Sequence, residues 1–190
     1  MQFTATPLAI PDVILVGPHR FADSRGYFMV TYEATEFRRL GLPEFVQDNQ
    51  ASSVLAGTLR GLHLQRPPHA QGKLVRVLKG AIFDVAVDLR DGSPTFGRWV
   101  AATLTAQSAE QIFVPRGFAH GYCTLEDDTE IAYKVDNAYA PQAEVGIRFS
   151  DPAIGIDWPV AATAAILSDK DRALPLLRDL GDAFPLRGVP

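Results

Sequence analysis

The chain has 190 residues, of which 47% are hydrophobic and 21% charged, a composition typical of one folded domain with a substantial core. Its net charge of -4 argues against a nucleic-acid partner, so any anionic ligand must be held by a local basic cluster. The single cysteine, Cys123, excludes an internal disulfide, and no signal peptide or membrane-spanning run is visible. We expect one domain over residues 1–190, in the cytoplasm, with no membrane partner.

The first third of the chain predicts short strands, one turn between aromatic residues and one short helix. Residues 10–16 read as an apolar strand, and residues 21–28 place turn-forming residues between aromatic side chains. Arg25 lies in that turn and could be a plain turn arginine or a phosphate ligand. Thr35 is expected to cap a helix over residues 36–40.

Amide side chains are concentrated in residues 45–50. Gln47, Asn49 and Gln50 suit hydrogen bonding to a nucleobase or a sugar. They suit the edge of a polar strand equally well, and the pattern alone leaves both interpretations open.

Residues 57–73 carry two of the four histidines of the chain, His63 and His69. Residues 59–65 predict a strand in which His63 lies opposite a leucine face. Gly61 can mark a bulge, which would bring Arg60 to the side of His63 against simple alternation. His63 could be a hydrogen-bonded core residue, a base or a ligand. Lys73 begins the next strand, where a lysine is usually just solvated.

Further strands recur at intervals of roughly ten residues, with Gly and Pro between them and almost no helical periodicity. The predicted ranges are 73–78, 81–89, 99–104, 111–114 and 130–135. This rhythm predicts a jelly roll or a small barrel. Asp84, flanked by small and apolar residues, is expected to be half-buried and hydrogen-bonded. Residues 168–180 predict a second helix, interrupted by Pro175, and the spacing of Ser168 and Asp171 fits a capping box.

The residue types favour acid–base chemistry over metal chemistry. A cupin-type metal site would need a second histidine two positions after His63, where the sequence has Gln65. Lys73, at the start of the next strand, is a cation and would repel a metal ion. Histidine, lysine and tyrosine side chains fit proton abstraction next to a carbonyl group. An imidazole takes the proton, an ammonium stabilises the enolate oxygen, and a phenol on the other side returns a proton, as an epimerisation requires.

A series of motifs runs in order along nearly the whole chain. The motifs are Phe-x-Asp-x-Arg-Gly-x-Phe at 21–28, Phe-Val-Gln-Asp-Asn at 45–49, Leu-Arg-Gly-Leu-His at 59–63, Gln-Gly-Lys-Leu-Val-Arg at 71–76, Val-Pro-x-Gly-Phe-Ala-His-Gly at 114–121, Tyr-Lys at 133–134 and Ser-x-Lys-Asp at 168–171. Together they resemble the dTDP-4-dehydrorhamnose 3,5-epimerase family. The resemblance implies an all-β, cupin-like jelly-roll barrel with a few short peripheral helices. It also implies a homodimer formed partly by strand exchange, with no metal or organic cofactor.

The resemblance implies the conversion of dTDP-4-dehydro-6-deoxy-D-glucose to dTDP-4-dehydro-L-rhamnose. At the matching positions, His63 would be the base, Asp171 its carboxylate partner, Lys73 the group that stabilises the enolate and Tyr133 the acid on the opposite face. The implied substrate-binding residues are His120 and Tyr139 at the sugar and Arg25, Phe28, Gln47, Asn49 and Arg60 at the nucleotide diphosphate. The early residues would reach in from the partner subunit.

Three other interpretations are considered for the sequence. A related enzyme could invert only one of the two carbons, a jelly roll could bind sugar nucleotides without catalysis, and a metal-dependent oxygenase could share the fold. Two positions depart from the family pattern: Val30 replaces a glutamate found in many relatives, and Asp169 adds a carboxylate beside Asp171.

Overall fold

Two β-sheets face each other in the computed structural model, which describes residues 2–181 and residue 184. The strands are β1 (Phe3–Pro7), β2 (Ile14–Pro18), β3 (Phe21–Asp23), β4 (Gly26–Phe28), β5 (Gln47–Ser53), β6 (Leu59–Gln65), β7 (Lys73–Lys79), β8 (Ala81–Asp88), β9 (Trp99–Thr105), β10 (Gln111–Val114), β11 (Phe118–Thr124), β12 (Thr129–Val135) and β13 (Glu144–Gly146). The helices are α1 (Ala34–Arg39) and α2 (Asp169–Arg172), with 3₁₀ turns at Pro141–Ala143 and Leu177–Asp179.

Eleven of the strands pair in two separate antiparallel sheets, and β3 and β4 form a hairpin of their own. One has the order β1-β2-β10-β7-β12-β5, and the other has the order β13-β6-β11-β8-β9. The predicted all-β jelly-roll class is confirmed. The prediction of a barrel is wrong, because the two sheets share no strand pairing in the part of the chain that the structure describes, and they form a sandwich with open edges.

One sheet has an exposed outer face and the other is covered on both faces, and the burial patterns of their strands differ accordingly. Strand β5 alternates between half-buried and exposed residues because only one of its faces meets the core. Strands β8 and β11 are buried almost throughout. Their inner face packs against the other sheet, and their outer face is covered by apolar side chains that follow β13, such as Ile147, Ile154 and Leu180.

Both helices differ from the sequence prediction, α1 in its cap and α2 in its length. Helix α1 is capped by Glu33, whose carboxylate accepts hydrogen bonds from the backbone of Thr35 and Glu36, so the predicted cap at Thr35 is wrong. The predicted helix over 168–180 is only the four residues of α2, because the chain turns away before Pro175. The capping bond itself is present: the backbone N–H of Asp171 donates to Ser168 Oγ over 3.1 Å.

The predicted bulge in β6 is confirmed. His120 of β11 lies opposite His63, and Tyr122, two residues later, lies opposite Arg60, so three steps along β6 match two along β11. Gly61 sits inside the bulge with φ +131°, and a Cβ there would lie 2.5 Å from the Cα of Gly121. Only glycine allows the two backbones to approach this closely.

Replacing Gly61 by alanine is expected to destabilise the fold strongly, because the new methyl group meets backbone that cannot move aside. We expect Gly61→Ala to lower the free energy of unfolding by about 3 kcal/mol. Gly41→Ala is the matched control: φ is +77° but nothing lies within 4 Å, so its cost is about 1 kcal/mol. Urea denaturation measures both, and equal costs would contradict the close approach.

Candidate active site

A cavity of about 450 Å³ opens between the two sheets. One wall comes from β5, β7 and β12, and the other from β6 and β11, with α2 at the rim. Six residues with predicted roles line it: Arg60, His63, Lys73, His120, Tyr133 and Asp171. The bulge in β6 is what allows Arg60 and His63 to face the same space.

His63 and Asp171 form a short hydrogen bond, with 2.6 Å between Nε2 and Oδ1. The side chain of Asp171 is only 5% exposed and that of His63 is 24% exposed. Burial alone would raise the pKa of Asp171, but the hydrogen bond from His63, its charge and the cap at Ser168 outweigh burial and hold that pKa below its usual value. An ionised Asp171 accepts the proton on Nε2, which leaves Nδ1 as the free nitrogen of the ring. Asp169 is exposed, and Asp171 is the carboxylate on His63.

Lys73 is half-buried on the opposite sheet. Its backbone lies across from Val114 and Val135, and Nζ donates to the carbonyl oxygen of His63 over 3.5 Å. Burial strips water from the ammonium and lowers the pKa of Lys73 to about 8, while the charges of Asp84 and Glu144 act against that fall. The side chain is therefore a cation at neutral pH, but one that loses its proton under mildly alkaline conditions.

Tyr133 stands on the wall opposite His63. It projects from β12 beside Ile131, which also lines the cavity. Burial raises the pKa of Tyr133, with the positive charge of Arg60 acting in the other direction. The phenol is therefore protonated at neutral pH and can donate its hydrogen.

Two polar lining residues, Tyr122 and Lys170, were not predicted from the sequence, and neither was Glu144, which lies next to Lys170 at the rim. Glu144 accepts hydrogen bonds from Lys170 Nζ over 2.6 Å and from the Tyr139 hydroxyl over 2.7 Å. Lys170 lines the cavity, so this small network forms part of its rim. Tyr122 lies two residues after His120 on the same strand face, and that alternation could have revealed it. Lys170 lies inside the Ser-x-Lys-Asp motif at 168–171, in which only Asp171 was predicted to be a site residue.

Gln47, Asn49 and Tyr139 lie beyond the cavity lining but continue its wall. Asn49 lies directly opposite Tyr133 in the β5–β12 ladder, so both side chains point to the same face. Gln47 donates from Nε2 to Asn49 Oδ1 over 2.8 Å and accepts from the backbone of Tyr139 over 3.2 Å. These polar groups extend the site away from the His63 pair.

Arg25 and Phe28 are not brought to the cavity within one chain. They lie on the β3–β4 hairpin, which pairs with no other strand among residues 2–181. The side chain of Arg25 is 87% exposed and bridges to Asp23, and Phe28 is 65% exposed. Their predicted role at the ligand is therefore not met inside a single subunit.

In the described part of the chain, no three His, Cys, Asp or Glu side chains converge as the ligands of a metal ion would. No helix among the described residues is long and apolar enough to cross a membrane.

The chain matches a family model described as dTDP-4-dehydrorhamnose 3,5-epimerase over residues 7–179. Two curated relatives with that name are similar to it: the protein of Sinorhizobium fredii is 49% identical, covering 93% of this chain and 91% of the relative, and that of Shigella flexneri is 50% identical, covering 85% and 89%. A solved structure from Legionella pneumophila, a dTDP-6-deoxy-D-glucose-3,5-epimerase in complex with dTDP-4-keto-L-rhamnose, is 39% identical with a TM-score of 0.92. It covers 98% of this chain and 100% of that chain.

Removing the charge of Lys73 is expected to stabilise the fold. A pKa of about 8 instead of the usual 10.5 means that the folded state disfavours the ammonium by roughly 3 kcal/mol. We expect Lys73→Met to raise the free energy of unfolding at pH 7 by about 1–3 kcal/mol. Between pH 8 and 10.5 the unfolded wild-type chain binds a proton that the folded chain has lost, so the stability of the wild type rises with pH. The stability advantage of Lys73→Met over the wild type therefore shrinks across this range.

The control is Lys79→Met, an exposed lysine at the other end of β7, which should change stability by less than about 0.5 kcal/mol. Urea denaturation from pH 7 to 10 measures both variants. No gain for Lys73→Met at pH 7 would mean that the fold does not disfavour this ammonium.

Proposed function

The chain belongs to the dTDP-4-dehydrorhamnose 3,5-epimerase family, and we propose that the cavity between its two sheets is where the sugar is inverted. The enzyme converts dTDP-4-dehydro-6-deoxy-D-glucose to dTDP-4-dehydro-L-rhamnose by epimerisation at C3 and C5. The observation that carries the proposed mechanism is the hydrogen-bonded pair of His63 and Asp171, which faces Tyr133 and Lys73 across one cavity.

The chemistry needs one base, one acid and one cation. The 4-keto group acidifies the hydrogens on C3 and C5, because loss of either proton gives an enolate whose charge rests on the keto oxygen. Return of a proton from the opposite face inverts the carbon. We infer that these two steps, removal and return of a proton, take place once at each carbon and use the same side chains. We also infer that the side chains transfer the protons without a metal or an organic cofactor.

His63 is the base in this proposal. Its Nδ1 is free because Nε2 donates to Asp171. The carboxylate fixes the ring and stabilises the imidazolium that forms when Nδ1 takes the proton. A well-placed base of this kind is worth about 10²–10⁴ in rate.

Lys73 and Tyr133 complete the mechanism from the other sheet. The ammonium of Lys73 stabilises the developing oxyanion, and it does so more strongly in a cavity poor in water than it would in bulk solvent. Tyr133 returns the proton, since its phenol is protonated at neutral pH and lies on the wall opposite His63. Base and acid on different sheets are what inversion requires.

The nucleotide is held farther out in the proposed complex. His120 and Tyr139 contact the sugar, while Arg60, Gln47 and Asn49 bind the nucleotide diphosphate. Arg60 already donates from Nη2 to the carbonyl oxygen of Ser52 over 3.0 Å, which orients its guanidinium.

We propose that the active form is a homodimer and that it acts in the cytoplasm. The exposed β3–β4 hairpin supports this proposal, because in the described part of the chain it pairs with no other strand and its Arg25 and Phe28 would be free to complete the nucleotide site of a second copy. The single cysteine, Cys123, is buried and unpaired, as suits a reducing compartment.

His63→Ala is expected to abolish proton exchange at both carbons. The substrate is incubated with the enzyme in heavy water, and deuterium at C3 and C5 is read by mass spectrometry and proton NMR. The wild type should incorporate deuterium at both carbons with inversion, and His63→Ala should lose at least about 10²-fold in rate while still binding dTDP. Tyr133→Phe is the matched control: it keeps the base, so it should still exchange protons while inversion drops.

Exchange by His63→Ala at the wild-type rate would remove His63 from the mechanism. Wild-type exchange at one carbon only would make the chain a single-centre epimerase.

Subunit mixing tests the homodimer. If Arg25 acts in the neighbouring site, then Arg25→Ala and His63→Ala homodimers should both be nearly inactive, and mixed dimers should contain one site with both intact residues. Refolding the two variants together in equal amounts should then restore about a quarter of the wild-type activity, since half the dimers are mixed and each has one complete site. No recovery in dimers shown to be mixed would place Arg25 in the site of its own subunit.

A further inference from the structure

A second buried carboxylate lies behind the cavity wall, against the lining residue His120, and the mechanism above gives it no role. Asp84 of β8 is completely buried, and both of its oxygens lie near His120 Nε2, at 3.0 Å and 2.9 Å. Within residues 2–181 its side chain accepts no other hydrogen bond. A carboxylate removed from water in this way is costly, and a fold that keeps it needs a compensating charge nearby.

The strand register shows where that carboxylate points. Asp84 lies directly opposite Tyr122 in the β8–β11 ladder, and Tyr122 lines the cavity, so the side chain of Asp84 also projects between the two sheets. Lys73 projects into the same space from the facing sheet. The hydrogen bond to His120 fixes the carboxylate at this position.

The other charged groups around Lys73 already have partners. The carboxylates that face it are Asp84, Glu144 and Asp171; the cations are Arg60 and Lys170; the remaining titratable groups are His63, His120, Tyr122 and Tyr133. Asp171 is directed at His63, and Glu144 is neutralised by Lys170. Asp84 and Glu144 are the two carboxylates whose charges act on Lys73, and of these only Asp84 is paired with no lysine or arginine in the described part of the chain.

We propose that Asp84 is a positioning residue of this enzyme: anchored by His120, its buried carboxylate keeps Lys73 in the ammonium form that the enolate oxygen requires. The inference rests on the role proposed above for Lys73. It gives a reason for the cost of burying Asp84, because a lysine held between two sheets would otherwise give up its proton near neutral pH. Burial is the largest cause of the low pKa of Lys73, and Asp84 is the first of the groups that oppose it.

Asp84→Asn tests the proposal, because it keeps the size of the side chain and removes its charge. The rate of the coupled epimerisation is measured from pH 6 to 10. We expect the alkaline limb of kcat/KM, which reports loss of the proton from Lys73, to move down by about one pH unit, with kcat/KM at pH 8 reduced about fivefold and dTDP binding unchanged. A merely structural effect would lower activity equally at every pH and leave the limb in place.

A second measurement does not depend on turnover. Lysine enriched with ¹³C at Cε gives a resonance for Lys73, which is assigned by its absence from Lys73→Met, and its titration midpoint should fall in Asp84→Asn. Asp84→Ser, which leaves room for a water molecule, is prepared in parallel in case the amide is not tolerated, and it should shift in the same direction. Asp88→Asn, a buried carboxylate of the same strand that is paired with Arg90, is the control and should lower stability without moving the midpoint or the limb.

The outcomes separate the two proposals. Wild-type turnover by Lys73→Met would overturn the function assigned to Lys73. An inactive Lys73→Met together with an unmoved limb and midpoint in Asp84→Asn would overturn the inference on Asp84 alone.

Discussion

The hydrogen bond between His63 and Asp171 joins two parts of the chain that are 108 residues apart, and the site depends on it. The segment that carries Asp171 reaches the site along the edge of β6. Ile166 donates its N–H to the carbonyl of Gly57 over 3.0 Å, and its own carbonyl accepts from Leu59 over 2.9 Å. This pairing guides the chain to the rim, where the cap at Ser168 turns it into α2 and aims the carboxylate at the imidazole.

Several charges in the cavity are placed against opposite charges, and this arrangement bears on both the chemistry and its cost. Removing an ion from water is expensive, so a cavity that holds a lysine, two histidines and several carboxylates weakens the fold unless the groups compensate each other. Asp171 pairs with His63, and Glu144 pairs with Lys170 at the rim. Compensation at Lys73 is incomplete, because its pKa stays about 8. The fold thus accepts some instability at the residue that must meet a developing negative charge.

The sequence predicts those parts of the fold and of the cavity that depend on a short local pattern, such as a turn or a glycine within a strand. Turn residues and short apolar runs predict the all-β class. Gly61 indicates either a bulge, which brings Arg60 beside His63, or the close approach of a ligand, and the structure has the bulge. Strand β11 was not recognised, because it is buried on both faces and shows no alternation. Glu144 was missed because its place depends on a long-range pairing with Gln65, which no local pattern records. Asp84 was expected to be half-buried, but its side chain projects between the two sheets, and it is completely buried.

A sandwich of two sheets suits an epimerase because it offers two facing walls of fixed geometry. A base and an acid on one strand would approach a sugar carbon from the same side, and a proton removed and returned on one face changes nothing. Here β6 contributes His63 from one sheet, and β12 contributes Tyr133 from the other. In the proposed complex each side chain projects at right angles to its own sheet, so the sugar ring between them would meet the base on one face and the acid on the other. The stereochemical outcome then follows from which sheet carries which residue.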